Sequence, residues 1–168
     1  MNILEKDLEE IIYKTHIEDN KLLWEKGLVT KGNMYQQLRI GNYGVADLVT
    51  FHKDFSYYHE ENALFITVYE LKKEKAGISA FLQALRYCKG IKTYIEKFRD
   101  KNINLSFNIV LCAKKIDTNS DFIFLSEFMY QNWIGAGLHL NCYSYEYSLN
   151  GIEFKEEKGY DLTDKGFK

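Results

Sequence analysis

Two carboxylates and one ammonium stand at spacings that suit phosphodiester chemistry. Asp47 lies in the run Gly44-Val45-Ala46-Asp47-Leu48, while Glu70 and Lys72 frame Leu71 in Tyr69-Glu70-Leu71-Lys72, each within an apolar, β-prone stretch. Along a strand alternate side chains share a face, so Glu70 and Lys72 project together and Leu71 turns away. If 45–51 and 64–72 pair as an antiparallel hairpin with its tip near 54–62, a register that sets Asp47 opposite Glu70 brings their Cβ atoms to about 5 Å. A divalent cation can bridge that spacing.

Strands and a helix must bring these residues together, and the hydrophobic pattern supplies both. Leu4, Leu8, Ile11, Ile12 and Thr15 recur at helical spacing and predict an amphipathic helix over 3–16. At about 100° per residue, Glu5 falls at the edge of the apolar stripe, Glu9 further round and Glu10 nearly opposite, so Glu5 is expected to face inward. Strands are expected over 34–40 and 45–51, joined by the Gly41-Asn42-Tyr43-Gly44 turn. A polar and aromatic loop over 53–62 then leads to a strand over 63–72. Gly77-Ile78-Ser79 opens a helix whose apolar face runs through Ile78, Phe81, Leu82, Leu85, Cys88, Ile91, Ile95 and Phe98. The stretch 105–113 reads as a buried strand, and 122–133 as a helix behind the capping loop 117–121. A strand over 138–149 should turn at Asn150-Gly151 into 152–156. The order α-β-β-β-α-β-α-β, with this added strand, is an α/β domain. A mixed sheet flanked by helices is expected because the unit 63–113 requires a parallel crossover.

The 168 residues suit one domain, expected over 1–158, with a tail over 159–168. Cys88, Cys112 and Cys142 lack metal-ligand spacing and read as buried reduced thiols, which fits a cytoplasmic protein. No signal peptide opens the chain and no apolar run approaches the roughly 18 residues of a membrane span, so no membrane partner is expected. The formal net charge of −2 is unevenly spread: residues 72–101 hold nine basic against three acidic residues. That local excess suits a phosphate backbone, although solvated helix charge would read the same way. His16, His52, His59 and His139 show no metal-binding spacing. Trp24 and Trp133 are expected to pack, or to offer a stacking surface to an unpaired base.

A lone Glu-x-Lys carries little weight in a chain that is 27% charged. Here an Asp on the preceding strand, a glycine ahead of it, a following helix and Gln83-x-x-x-Tyr87 on that helix accompany it. With these features the sequence resembles the PD-(D/E)XK nuclease superfamily. It is most similar to the catalytic domain of NucS-type endonucleases and shares the helix motif of RecB-like nucleases. The likeness spans about residues 4–113, from Glu5-Lys6-Asp7-Leu8-Glu9-Glu10 through Gly27-Leu28, the Asp47 and Glu70 motifs and Lys75-Ala76-Gly77 to Gln83-Ala84-Leu85-Arg86-Tyr87.

The resemblance implies a restriction-endonuclease-like fold and Mg²⁺- or Mn²⁺-dependent hydrolysis of DNA. Asp47, Glu70 and the Leu71 carbonyl would be metal ligands, and Glu5 the helix carboxylate that completes the site. Lys72 would be the catalytic lysine, and Gln83 and Tyr87 the helix pair bordering the centre. Lys73, Lys75, Arg86 and Lys89 would contact nucleic acid. Each has a plainer reading: Glu5 and Gln83 as solvated helix residues, Tyr87 as a core-edge aromatic, the lysines as surface charge. The chain departs from the family in having Tyr43 and Val45 where relatives show a proline and a basic residue near the glycine. Its 23-residue Asp47-to-Glu70 separation is also long. NucS-type enzymes carry a separate recognition domain to which nothing here corresponds, so mismatch specificity does not carry over. A homodimer or a separate recognition subunit would fill that role. The reading from a different class is a catalytically inactive nuclease-like module that binds nucleic acid or a protein.

Overall fold

The computed structural model describes residues 4–56, 60–99, 102–117, 121, 122, 125 and 138–157. Their elements are α1 (Glu5–Glu25), β1 (Asn33–Arg39), a 3-10 turn (Gly41–Tyr43), β2 (Val45–Ser56), β3 (Glu61–Leu71), β4 (Lys75–Ala76), α2 (Ile78–Phe98), β5 (Asn104–Ala113), β6 (Lys115–Ile116), β7 (Leu138–Ser148) and β8 (Gly151–Glu156). Alternation along β3 divides the core in two. Ile66 and Val68 turn to one side and meet Ala80, Phe81, Ala84, Cys88, Ile91 and Ile95 of α2. Tyr69 and Leu71 turn to the other and meet Leu8, Ile12 and Leu23 of α1. Each Leu, Ile, Val or Phe among them contributes about 1.5–3 kcal/mol by leaving water, which outweighs the modest propensity of either helix alone.

The result is an α/β structure: a mixed sheet of six strands flanked by two helices, in spatial order β1-β2-β3-β5-β7-β8. The β3–β5 and β5–β7 pairs are parallel and the others antiparallel. The short parallel pair of β4 and β6 brackets the start of α2. Among the described residues no helix is long and apolar enough to cross a membrane.

Several elements outrun their expected bounds. The first helix continues past residue 16 to Glu25, with an extended residue, Asp19, as a kink at φ −158°. Leu23 is fully buried beyond that kink, and the Trp24 indole donates to the Thr30 carbonyl at 2.9 Å, so tertiary contacts carry the helix through a polar stretch. At its start the Leu4 N–H donates to Asp7 Oδ2 at 3.0 Å, satisfying a free backbone donor beside an acidic first turn. The expected loop over 53–62 is largely strand, because β2 and β3 stay paired out to Ser56↔Glu61. The final hairpin turns one residue earlier than Asn150-Gly151: Ser148 pairs with Gly151 across Leu149-Asn150, and the positive φ of +92° falls on Gly151. The helix expected over 122–133 and the tail over 159–168 lie outside the described residues, apart from Phe122 and Leu125, which pack on the α2 core.

Two close approaches fix how the layers meet. At Gly90, α2 rides directly on the 3-10 turn, and a Cβ there would fall 2.5 Å from Ile40 Cγ2 and 2.7 Å from Tyr43 Cγ. Alanine would gain about 1 kcal/mol of helix propensity, but overpacking costs about 1–3 kcal/mol. The clash should win, and Gly90→Ala should show a net loss of about 1 kcal/mol in urea melts. At the far side, the end of α1 docks on β8. Phe154 N–H donates to the Lys26 carbonyl at 2.7 Å, and Lys26 Nζ reaches the Asn150 carbonyl at 3.2 Å. Gly27, at φ +96°, passes so near that a Cβ would sit 2.0 Å from the Phe154 carbonyl oxygen.

Candidate active site

The β2–β3 register runs to Leu48↔Tyr69, and one step further sets Asp47 against Glu70, as the sequence predicts. Ladder pairing stops there because the Asp47 carboxylate takes over: its Oδ2 accepts the Leu71 N–H at 3.0 Å. Strand alternation also slips at this point. Ala46 and Val49 both join the α2 core, although a regular strand would send them to opposite faces. On the neighbouring β1, Gln36 pairs with Leu48 and Leu38 with Ala46, while Gln37 between them adopts φ +50°. A left-handed glutamine costs on the order of 1 kcal/mol or more. Its return is an amide aimed at α1, with Nε2 donating to Glu9 Oε2 at 2.6 Å.

Glu70 is 1% exposed. Its Oε1 accepts Lys72 Nζ at 2.8 Å, while Oε2 is buried without a partner. Burial pushes the carboxyl up to about 7; the Lys72 hydrogen bond opposes this and the Asp47 charge adds to it. Asp47 is also raised, by burial first, against the Leu71 N–H, with Glu9, and further down Glu5, reinforcing the shift. Lys72 experiences the reverse balance. Burial pulls its ammonium down, but the hydrogen bond and charge of Glu70, with Glu5 and Asp47, leave it raised and therefore charged. The spacing Glu70-x-Lys72 thus yields one compact ion pair beside a second carboxylate.

The helix carboxylates are distributed differently from the sequence expectation. Glu5 is exposed at the rim, where Oε1 accepts the Lys73 N–H at 3.1 Å. Glu9, expected further from the core, is only 5% exposed and acts electrostatically on Asp47. The wheel drawn through Leu4 and Ile11 misplaced the buried face, which runs through Leu8, Glu9, Ile12 and His16. Gln37 and Tyr145 are the other residues that sequence reasoning missed. The Tyr145 hydroxyl donates to the Lys73 carbonyl at 3.0 Å, so Lys73 is held from both sides of its backbone. Glu9-x-x-Ile12-x-x-x-His16, a polar residue at each end of a helical stripe, was the available signal.

Gln83 and Tyr87 are joined to each other, Nε2 to hydroxyl, at 2.8 Å. Tyr87 is buried against Gly44, where a Cβ would stand 3.0 Å from its Cε1, so the pair abuts the start of β2 three residues before Asp47. Lys75 pairs with Asp117 at 3.1 Å, while Arg86 and Lys89 are exposed on α2. His16 is a structural residue, its two ring nitrogens bonded to Thr30 Oγ1 at 2.7 Å and the Gly32 carbonyl at 3.0 Å. Cys88, Cys112 and Cys142 are free and buried. His59 and Trp133 lie outside the described residues.

This donor set fits a hard divalent cation. The orphaned Glu70 oxygen and the raised Asp47 carboxyl are both oxygen donors whose ionised forms burial disfavours, and a cation would relieve that. Among the described residues no three His, Cys, Asp or Glu side chains converge as a closed cage would need. Two carboxylates suit an ion that keeps most of its waters, as Mg²⁺ does. No family model matches the chain, and no curated protein or solved structure matches it either.

Proposed function

We propose that the chain is a PD-(D/E)XK-type, restriction-endonuclease-like nuclease of the cytoplasm that hydrolyses DNA phosphodiesters with Mg²⁺ or Mn²⁺. The observation that carries this reading is the buried, unpartnered Glu70 Oε2 beside Asp47, with the Lys72 ammonium on the same carboxylate. Asp47, Glu70 and the Leu71 carbonyl would hold the ion, which when bound would polarise a phosphoryl oxygen and acidify a water. Lys72, charged at neutral pH, lies where it can exchange its hydrogen bond from Glu70 to a phosphoryl oxygen in the transition state. Glu5 and Tyr145 pin the Lys73 backbone and so fix the strand end that carries Lys72. Gln83 and Tyr87 brace the turn before Asp47.

The formal net charge of −2 keeps a second reading in view, a nuclease-like module that binds without cutting. Linear and circular DNA incubated with Mg²⁺, Mn²⁺ or EDTA separates the two. Cleavage should need the ion, and Asp47→Asn should lose both cleavage and the rise in melting temperature that Mn²⁺ gives wild type. Equal Mn²⁺ stabilisation of both proteins would remove Asp47 from the metal site. Binding without cleavage under any divalent ion would favour the module.

A further inference from the structure

α2 carries more than the bracing pair. Within Ile78–Phe98 it holds Arg86, Lys89, Lys92 and Lys97 against Glu96 alone. At its C-terminal end, Tyr94 is 52% and Phe98 61% exposed, large rings that the core does not use. Their centroids are 5.1 Å apart at a 42° tilt, and Lys97 Nζ stands 5.1 Å from the Phe98 centroid. Gln83, Tyr87, Tyr94 and Phe98 fall within about 60° of one another around the helix, so they mark one side of it. On the sheet a second aromatic pair points to the same layer: Tyr35 pairs across with Val49, which faces α2, and its ring meets Phe51 edge-on at 5.7 Å.

We propose that the Tyr94–Phe98 pair, with Arg86 and Lys97 flanking it on α2, forms a stacking platform for single-stranded nucleic acid, extending the candidate active site and making an unpaired strand its substrate. This rests on the nuclease reading above. Bases expose π-faces only when unpaired, and an aromatic surface flanked by cationic side chains matches both parts of a single strand, base and phosphate. Duplex DNA would use the charges but not the rings. Lys92 pairs with Glu96 at 3.6 Å, which leaves Arg86, Lys89 and Lys97 as the basic excess of α2, and Arg86 and Lys97 beside the rings favour a polyanion over an apolar protein segment. From Gln83 to Phe98 the helix spans about 22 Å, the length of roughly six stacked nucleotides at about 3.4 Å each.

The test is fluorescence anisotropy of labelled oligo-dT and of a duplex of equal length, in EDTA to prevent cleavage. Tyr94→Ala with Phe98→Ala should weaken oligo-dT binding roughly 10- to 100-fold, with duplex affinity within about twofold and the salt slope unchanged. Tyr94→Leu with Phe98→Leu keeps an apolar surface without a π-face and should lose nearly as much. Circular dichroism melts should match wild type, since both rings are half-exposed. Wild-type oligo-dT affinity in either double variant would overturn the platform, as would equal weakening of single strand and duplex. Because the rings lie about two to three helical turns beyond Tyr87 and are neither adjacent in sequence to nor paired with Asp47, Glu70 or Lys72, wild-type Mn²⁺ stabilisation in these variants would leave the metal-site reading standing while the platform falls. A wild type that binds Mn²⁺ but neither strand form would overturn the platform too.

Discussion

In metal-free buffer, raising the pH from 5 to 8 should cost wild type about 2.5 kcal/mol more stability than it costs Glu70→Gln. The Glu70 carboxyl is pushed up from 4.5 to about 7, with burial the leading cause. Between those values the native state holds a proton that the unfolded chain has released. Stability therefore declines as pH rises through this window and levels off above about 7, at about 1.4 kcal/mol per pKa unit. Asp47, raised by the same cause, adds in the same direction. His139, lowered by burial, works oppositely below its ordinary 6.5, and the lowered Glu10 and Asp54 act only on the acid side. The contributions of His139, Glu10 and Asp54 are common to both proteins and cancel in the difference, while Asp47, coupled to Glu70, belongs to the measured effect. Denaturant melts at intervals of one pH unit measure it, and Mn²⁺ should restore part of the loss at pH 8. Parallel curves for the two proteins would mean that Glu70 ionises normally in the fold.

Lys72→Ala should lower the cleavage rate roughly a hundredfold or more, while Mn²⁺ and DNA binding stay within about tenfold. The ammonium is not a metal ligand, so binding and chemistry should separate. One complication has a definite sign. Removing Lys72 deprives Glu70 of the hydrogen bond and charge that hold its pKa down, so Glu70 stays protonated to higher pH in the variant. Part of the loss at pH 7 would then be weakened metal binding. Single-turnover rates at pH 9 and saturating Mg²⁺ reduce that part, because high pH and a bound cation both favour the carboxylate in either protein. A hundredfold gap that persists at pH 9 assigns Lys72 to the transition state. A gap that closes there reduces Lys72 to a counterion for Glu70.

The strand-borne half of the site was legible because a strand has a fixed period. Once 45–51 and 64–72 were read as paired, Glu70 and Lys72 had to share a side, and the one register that faced Asp47 to Glu70 is the one that continues the observed pairing. The helix-borne half was less legible. Glu9 is buried because Gln37 gives it a donor, and His16 about two turns later is satisfied by Thr30 and Gly32. Those partners come from a strand and a loop whose positions no helical wheel contains. The extension of α1 to Glu25 and of β2 and β3 into the expected loop were hidden for the same reason, since distant contacts outweighed local polarity. The hairpin turn at Gly151 shows a finer limit: Asn-Gly marks a turn, but a left-handed glycine serves equally well one residue beyond the two-residue loop.

The docking of Gly27 and Lys26 on Phe154 and Asn150 joins residues more than 120 positions apart, and it bears on the order in which contacts form during synthesis. Chains emerge at about 5–20 residues per second, so α1 waits on the order of ten seconds for the strand that seats its far end. Until residues 151–156 are made, Leu23 and Leu28 lack the part of their apolar cover that Ile152 and Phe154 supply, although Trp24 and His16 already tie the helix to Thr30 and Gly32. Such long-range closure is slow to form and late to reward the chain. The docking of α1 on the final hairpin is therefore among the last long-range contacts that the chain can make as it is synthesised.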